Sequence, residues 1–303
     1  MVTILIKQIV VMLAMMSVGV VLYKIKAVDE TGVAQLSNIA LYVATPCVVL
    51  RALAIPYDAE KISTGMLVMA FFLIIFFVSI IIGRFGCGRV DRIGTFAVVF
   101  SNSGFVGIPL IQGILGDEYV FYVTMTMVVG TITFWTYGVY LMSGDKGEVS
   151  VKKILTNPNL IAVVVGMILF FAVDELPYVV QQVLNGMANM NTGLGMVILG
   201  ATLGASNIGL MISDTRLYKA IALRLVIVPL ACIPILMFMP VPFEVRMVMM
   251  IISAAPAASA TSMLALKYGG DYSYGTGLAI GTTIVSMVTM PVVLALAMKI
   301  LAL

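Results

Sequence analysis

The chain has 303 residues, 62% hydrophobic and only 10% charged, with a formal net charge of +3 and a mean hydropathy of +1.15. Soluble domains carry about a quarter charged residues, so this balance excludes water as the main solvent. With no His, and with Cys47, Cys87 and Cys232 in no CxxC pair, zinc, haem and Cys-His nucleophile chemistry lack their ligands.

A bilayer core about 30 Å thick takes about twenty apolar residues per helix. Runs of that length, bounded by charge or turn residues, predict spans at 3–22, 33–55, 63–83, 94–115, 119–141, 158–173, 180–205, 217–239, 245–266 and 275–299. They leave no soluble domain. The first run resembles a signal peptide because Lys7 precedes an apolar stretch. No small-residue cleavage site follows before Lys24, so it reads as a spanning helix. The 23 Met are adaptable filler for helix packing.

In the second span, Thr45-Pro46 interrupts the apolar run, and Arg51 near its end reads as a snorkelling side chain. The fourth span holds Asn102-Ser103-Gly104-Phe105-Val106-Gly107-Ile108-Pro109 at mid-membrane depth. Pro109 has no backbone N–H and its ring clashes with the carbonyl four residues back, while Gly104 and Gly107 lower the cost of non-helical dihedrals. A broken helix is expected there. The seventh span carries Asn189-Met190-Asn191-Thr192-Gly193, at the place equivalent to Thr45-Pro46. These residues face the same cavity as the break or glue helices together. Arg224, about one-third of the way into the eighth span, reads as snorkelling to the interface. The ninth span repeats the proline-and-hydroxyl pattern of the fourth from Ser253 through Pro256, Ser259 and Thr261 to Ser262. No Asp or Glu lies near the midplane of any span, so no buried acidic proton relay is legible.

Loop charge orients the chain. Lys24, Lys26, Arg84, Arg89, Arg92, Lys146, Lys152, Lys153, Arg216, Lys219 and Lys267 fall on one side, eleven of the 17 cations. The positive-inside rule makes that side cytoplasmic and puts both termini outside. Such short juxtamembrane clusters are orientation signals, so no nucleic-acid partner is expected. The halves echo each other: Gln35-Leu36-Ser37-Asn38 returns as Gln182-Val183-Leu184-Asn185, 147 residues later, and Gly116-Asp117 as Gly270-Asp271, 154 later. Repeats of five spans, an odd number, enter the membrane from opposite sides, which is a transporter arrangement. Two breaks at equivalent places point half-helix N-termini at one small volume, a field that suits an anion.

Asn102 to Gly116, NSGFVGIPLIQGILG, resembles the N-T-x-x-x-G-I-P-L-x-x-G-x-x-G segment in the fourth helix of the auxin efflux carrier family, which includes plant PIN carriers and bacterial permeases for malate-like acids. Asn157-Pro158-Asn159, Gly193-Leu194-Gly195-Met196, Arg224 with Pro229, and Pro256 followed by Lys267-Tyr268 are similar as well. The resemblance covers nearly the whole chain. It implies a fold related to bile-acid sodium symporters, with helices 1, 2, 6 and 7 as scaffold and helices 3–5 and 8–10 as a transport unit that moves as an elevator. It further implies substrate at the crossing of helices 4 and 9 and a homodimer through the scaffold. Two departures stand out. The linker between the halves is short here, whereas plant members have a long loop. Pro256 and Ala257 stand where sodium-coupled relatives use an acidic residue, which weakens the case for sodium.

The expected fold is therefore an all-α membrane protein of ten transmembrane helices in two inverted five-helix repeats, 1–142 and 157–303, joined by a linker at 143–156. Helices 4 and 9 are broken and cross. The expected function is secondary transport of a small organic anion, a mono- or dicarboxylate, auxin-like acids included, across a bacterial inner membrane. Asn102 would bond the carboxylate with help from Ser103, Ser259 and Thr261. Gly107, Pro109 and Pro256 would shape the break, and Thr45, Asn189 and Asn191 would face the cavity. No cofactor is called for, and sodium or proton coupling stays open. The rivals are a sodium-coupled symporter of amphipathic acids and a ligand-binding membrane sensor. An intramembrane enzyme lacks paired carboxylates and His.

Overall fold

The computed structural model describes residues 2–173, 175–206 and 214–301. Its main helices are α1 (Val2–Lys24), α2 (Glu30–Leu53), α3 (Ala59–Gly86), α4 (Arg92–Val99), α5 (Ser103–Ile114), α6 (Asp117–Ser143), α7 (Pro158–Ala172), α8 (Tyr178–Ala205), α9 (Thr215–Met237), α10 (Phe243–Ala254), α11 (Ala260–Lys267) and α12 (Tyr272–Leu301). Among the described residues there is no strand, only an isolated antiparallel bridge between Ser101 and Ala257.

Among the described residues, seven stretches are long and apolar enough to cross a membrane: α1, α2, α3, α6, Lys146–Ala172 with α7 at its end, α9 and α12. The 28-residue α8 matches α3 in length but is diluted by Gln181, Gln182, Asn185, Asn189 and Asn191. The runs predicted as fourth and ninth spans are each two helices with an extended interruption, α4 to α5 and α10 to α11.

The carboxylates that flank the apolar runs are helix caps. Asp29, Asp58, Asp91, Asp214 and Asp271 each accept a backbone N–H from the first turn of the helix that follows. A negative charge there satisfies an orphan donor and complements the helix dipole, which explains why the acids sit at span ends. Asn157 does the same for α7, where Pro158 occupies the first turn and needs no partner for a missing N–H.

Three prolines sit where the helix has first widened. Pro46, Pro109 and Pro229 each follow a π-helical turn, at Ala40–Ala44, Ser103–Gly107 and Leu223–Ile227. A wider turn draws the preceding carbonyls out of the proline ring's way, so the helix continues through it. This corrects the expectation for Pro109. It lies buried within α5, and the chain breaks earlier, at Phe100–Asn102.

Packing sorts the helices into two sets. In the first, α1 lies along α8, and α2 packs on α7 and α8. Gly19 and Gly200 let the α1 and α8 backbones touch: a Cβ on Gly200 would stand 1.9 Å from the Met16 carbonyl oxygen, and one on Gly19 2.2 Å from that of Val197. In the second set, α3 packs on α4 and α6, and α12 on α9, α10 and α11. The broken helices are part of the core: Val98, Ile108, Ile111 and Val248 to Ile252 are essentially sealed from solvent. Outward faces expose Val10, Val18, Ile74, Phe77 and Val288, which lipid solvates as well as protein would.

Candidate functional site

The interruptions in the two broken helices pair with each other. Phe100 and Ala255 leave their helices in extended conformation, and the short segments they start pair antiparallel at Ser101 and Ala257. The Asn102 N–H donates to the Pro256 carbonyl at 2.8 Å, and the Ala258 N–H donates to the Phe100 carbonyl at 2.9 Å. Pro256 offers only an acceptor, which is all the bridge asks of it. Between them the Ala257 N–H donates to the Thr282 hydroxyl of α12 at 3.0 Å. Each backbone group so paired avoids the several kcal/mol, roughly, that an orphan costs in hydrocarbon.

The carbonyl ends of α4 and α10 face the same place and are capped by one side chain. Arg224 of α9 is 2% exposed. Its Nη1 donates to Val98 O at 3.0 Å, its Nε to Ala255 O at 2.9 Å, and its Nη2 to Ala255 O at 2.8 Å and Ile252 O at 3.4 Å. The snorkelling expectation for Arg224 is thus wrong. Terminal carbonyls of both broken helices give the guanidinium better partners than a distant interface could, so it turns inward.

On the N-terminal side, Asn102 caps α5 through an Oδ1 that accepts the Phe105 N–H at 3.3 Å. Its Nδ2 is buried without a partner, and the residue is only 7% exposed. Asn102 borders a cavity of about 420 Å³. Apolar side chains line most of this cavity, among them Phe72, Phe76, Phe105, Trp135, Met127 and Met263. Ser79, Ser103, Thr126, Asn159 and Arg224 supply scattered polar atoms. Asn157 and Asn159 at the start of α7 bring the cavity toward the basic loops. Asn102 also borders a second hollow of about 40 Å³, with Thr202, Ser259, Ser262, Thr276 and Thr283.

Of the residues expected at the site, Asn102, Ser103 and Thr45 line the cavity of about 420 Å³, and Ser259 lines the one of about 40 Å³. Pro256 serves the bridge through its carbonyl. Gly107 and Pro109 lie behind the cavity wall, and the Pro109 carbonyl accepts from Gln8 of α1 at 3.2 Å. Thr261 is fully buried and turns its hydroxyl onto the Ala258 carbonyl at 2.6 Å, so it braces the start of α11. Asn191 holds Thr45 across the α8–α2 contact, accepting at 2.8 Å. Asn189 is not brought to the crossing. It lines a third cavity of about 550 Å³ with Arg51, Lys61, Asp117, Glu118, Gln182 and Asn185. Arg51 there donates to Asn189 at 2.7 Å and pairs with Asp117, itself largely exposed, at 3.4 Å.

Arg224, Thr282 and Asn159 escaped the sequence reading as site residues. For Arg224 a signal existed, an unpaired cation inside an apolar run. Asn159 had one in the family-like Asn157-Pro158-Asn159 segment, and Thr282 had none beyond being polar within a predicted span.

Residues 4–294 match the membrane transport protein family. The chain belongs to this family, that of the auxin efflux carriers. The family is one of transporters rather than enzymes. An uncharacterized transporter of Methanothermobacter thermautotrophicus is 30% identical over 207 residues, which cover 65% of each chain. This auxin efflux carrier family member is thus an integral membrane protein.

Proposed function

We propose that the chain is a secondary carrier for a small organic anion, a mono- or dicarboxylate with auxin-like acids among the candidates, bound where its two broken helices cross. The observation that carries this reading is the Asn102 Nδ2, a buried donor without a partner at the rim of a 420 Å³ cavity. Such a donor costs about 1–3 kcal/mol unless something accepts from it. A carboxylate is an acceptor on every face. The N-termini of α5 and α11 open onto the same crossing, and the apolar walls suit the body of an amphipathic acid.

Ten crossings in two inverted repeats account for the same features. The seven apolar stretches, the polar α8 and the two broken spans total ten, and the two reciprocal hydrogen bonds of the bridge are related as an in-plane two-fold axis would relate them. On this reading α1, α2, α7 and α8 are the scaffold, through which two copies would pair. The other helices carry substrate past it as an elevator. The cavity of about 420 Å³ is lined by both sets, so sliding one along the other would move its contents.

Counterflow of labelled acids in proteoliposomes tests the function. Exchange dependent on trans substrate supports a carrier, whereas binding without exchange would make the protein a sensor. A requirement for a sodium gradient would replace this reading with a sodium-coupled symporter.

A further inference from the structure

Four helix ends, not two, meet at the crossing. The N-termini of α5 and α11 each bring about half a positive charge, but the C-termini of α4 and α10 each bring about half a negative one. These contributions cancel to first order, so helix dipoles alone do not make the site favour an anion. What breaks the balance is Arg224. Its guanidinium bonds only carbonyl oxygens of the two C-termini. The ion pairs among the described residues involve Arg51 and Arg216, never Arg224. A sealed, permanently charged group without a counter-ion therefore lies beneath the cavity that it helps to line. Asn102 Nδ2, likewise buried and unpartnered, faces the same crossing.

We propose that Arg224 sets the charge which the crossing accepts, and that this charge is one: the site selects a singly charged anion over both a neutral isostere and a dianion. This deepens the anion reading above and rests on it. Arg224 acts as a positioning residue. It neutralises the carbonyl ends so that the N-terminal amides and Asn102 meet the substrate unopposed. A monoanion leaves the crossing neutral. A dianion leaves one net negative charge stranded in low dielectric, and a neutral ligand leaves the cation uncompensated.

The test uses the full chain in nanodiscs at about pH 8, where carboxylic acids are ionised, with phenylacetate, phenylacetamide and phenylmalonate as probes of similar shape and different charge. Binding is read by calorimetry. The wild type is expected to favour phenylacetate over each of the other two by about tenfold or more, the scale of a charge-assisted contact. Arg224→Gln, which can still donate to a carbonyl, is expected to bring acid and amide within about threefold, while Arg224→Lys restores most of the preference. A wild type that ranks phenylmalonate first, or that takes amide as well as acid, overturns the proposal even if no variant folds. So does a folded Arg224→Gln protein that keeps the tenfold preference. Failure of the site reading shows separately, as phenylacetate binding that Asn102→Ala leaves unchanged, and absence of binding by all three probes overturns both.

Discussion

Asn102 carries two tasks on two atoms, and substitutions can separate them. Its Oδ1 caps α5 while its Nδ2 stays unpartnered at the cavity rim. Ser caps as well as Asn does, so Asn102→Ser is expected to keep a near-native Tm and to weaken anion binding about tenfold, the scale of a hydrogen bond to a charged group. Equal losses in Tm and binding would mean that the residue only holds the helix. Cys87, in the turn between α3 and α4, provides a check away from the crossing. Burial pushes its thiol up to about 12, with Asp91 adding to the effect. The thiolate is the nucleophile, so at neutral pH alkylation of Cys87 by a maleimide is expected to lag a free thiol by about two to three orders of magnitude and to accelerate with rising pH. Mass spectrometry of timed aliquots reads this directly.

Each broken helix persists because neighbouring elements finish its hydrogen bonds. α12 supplies the Thr282 hydroxyl to the Ala257 amide, and α9 supplies Arg224 to both carbonyl ends. Thr282→Val keeps the shape and removes the acceptor, leaving a sealed amide unpaired. It is expected to cost about 1–3 kcal/mol, seen as a lower Tm. Between α1 and α8 the demand is for space. Even the smallest side chain at residue 200 would overlap the Met16 carbonyl, so Gly200→Ala is expected to force the helices apart at a cost of about 1–3 kcal/mol. A Tm unchanged by Gly200→Ala would show that the contact is looser than its geometry.

Among the described residues of the whole molecule, few polar bonds tie the two helix sets together. Gln8 reaches the Pro109 carbonyl, Arg51 reaches Asp117, and Thr192 of α8 donates to Gln112 of α5 at 3.5 Å. An elevator must break these contacts as it moves, whereas a rigid protein has no reason to. In a background without native cysteines, joining Gln112→Cys to Thr192→Cys with a short thiol cross-linker is expected to abolish flux and reduction to restore it. Flux that survives complete cross-linking would rule out sliding of α5 along α8.

Hydropathy, loop charge and cap residues are properties of neighbours along the chain, and those the sequence stated by itself. The placement of its apolar runs, the breaks near Asn102 and Pro256 and the family followed from local pattern, since a bilayer rewards apolar length and a proline among small residues disturbs a helix wherever it lies. Its reach ended where a partner had to come from another helix. Whether Arg224 snorkels or caps depends on two carbonyl ends that lie 28–31 and 126 residues away along the chain. Whether Pro109 breaks its helix depends on a π turn that absorbs the ring. That Asn189 faces the cavity beside Arg51 while Asn191 faces Thr45 depends on how α8 is rotated against α2. Packing alone decides these matters, because a polar group in hydrocarbon takes the nearest satisfiable partner, and only the tertiary structure fixes which one that is.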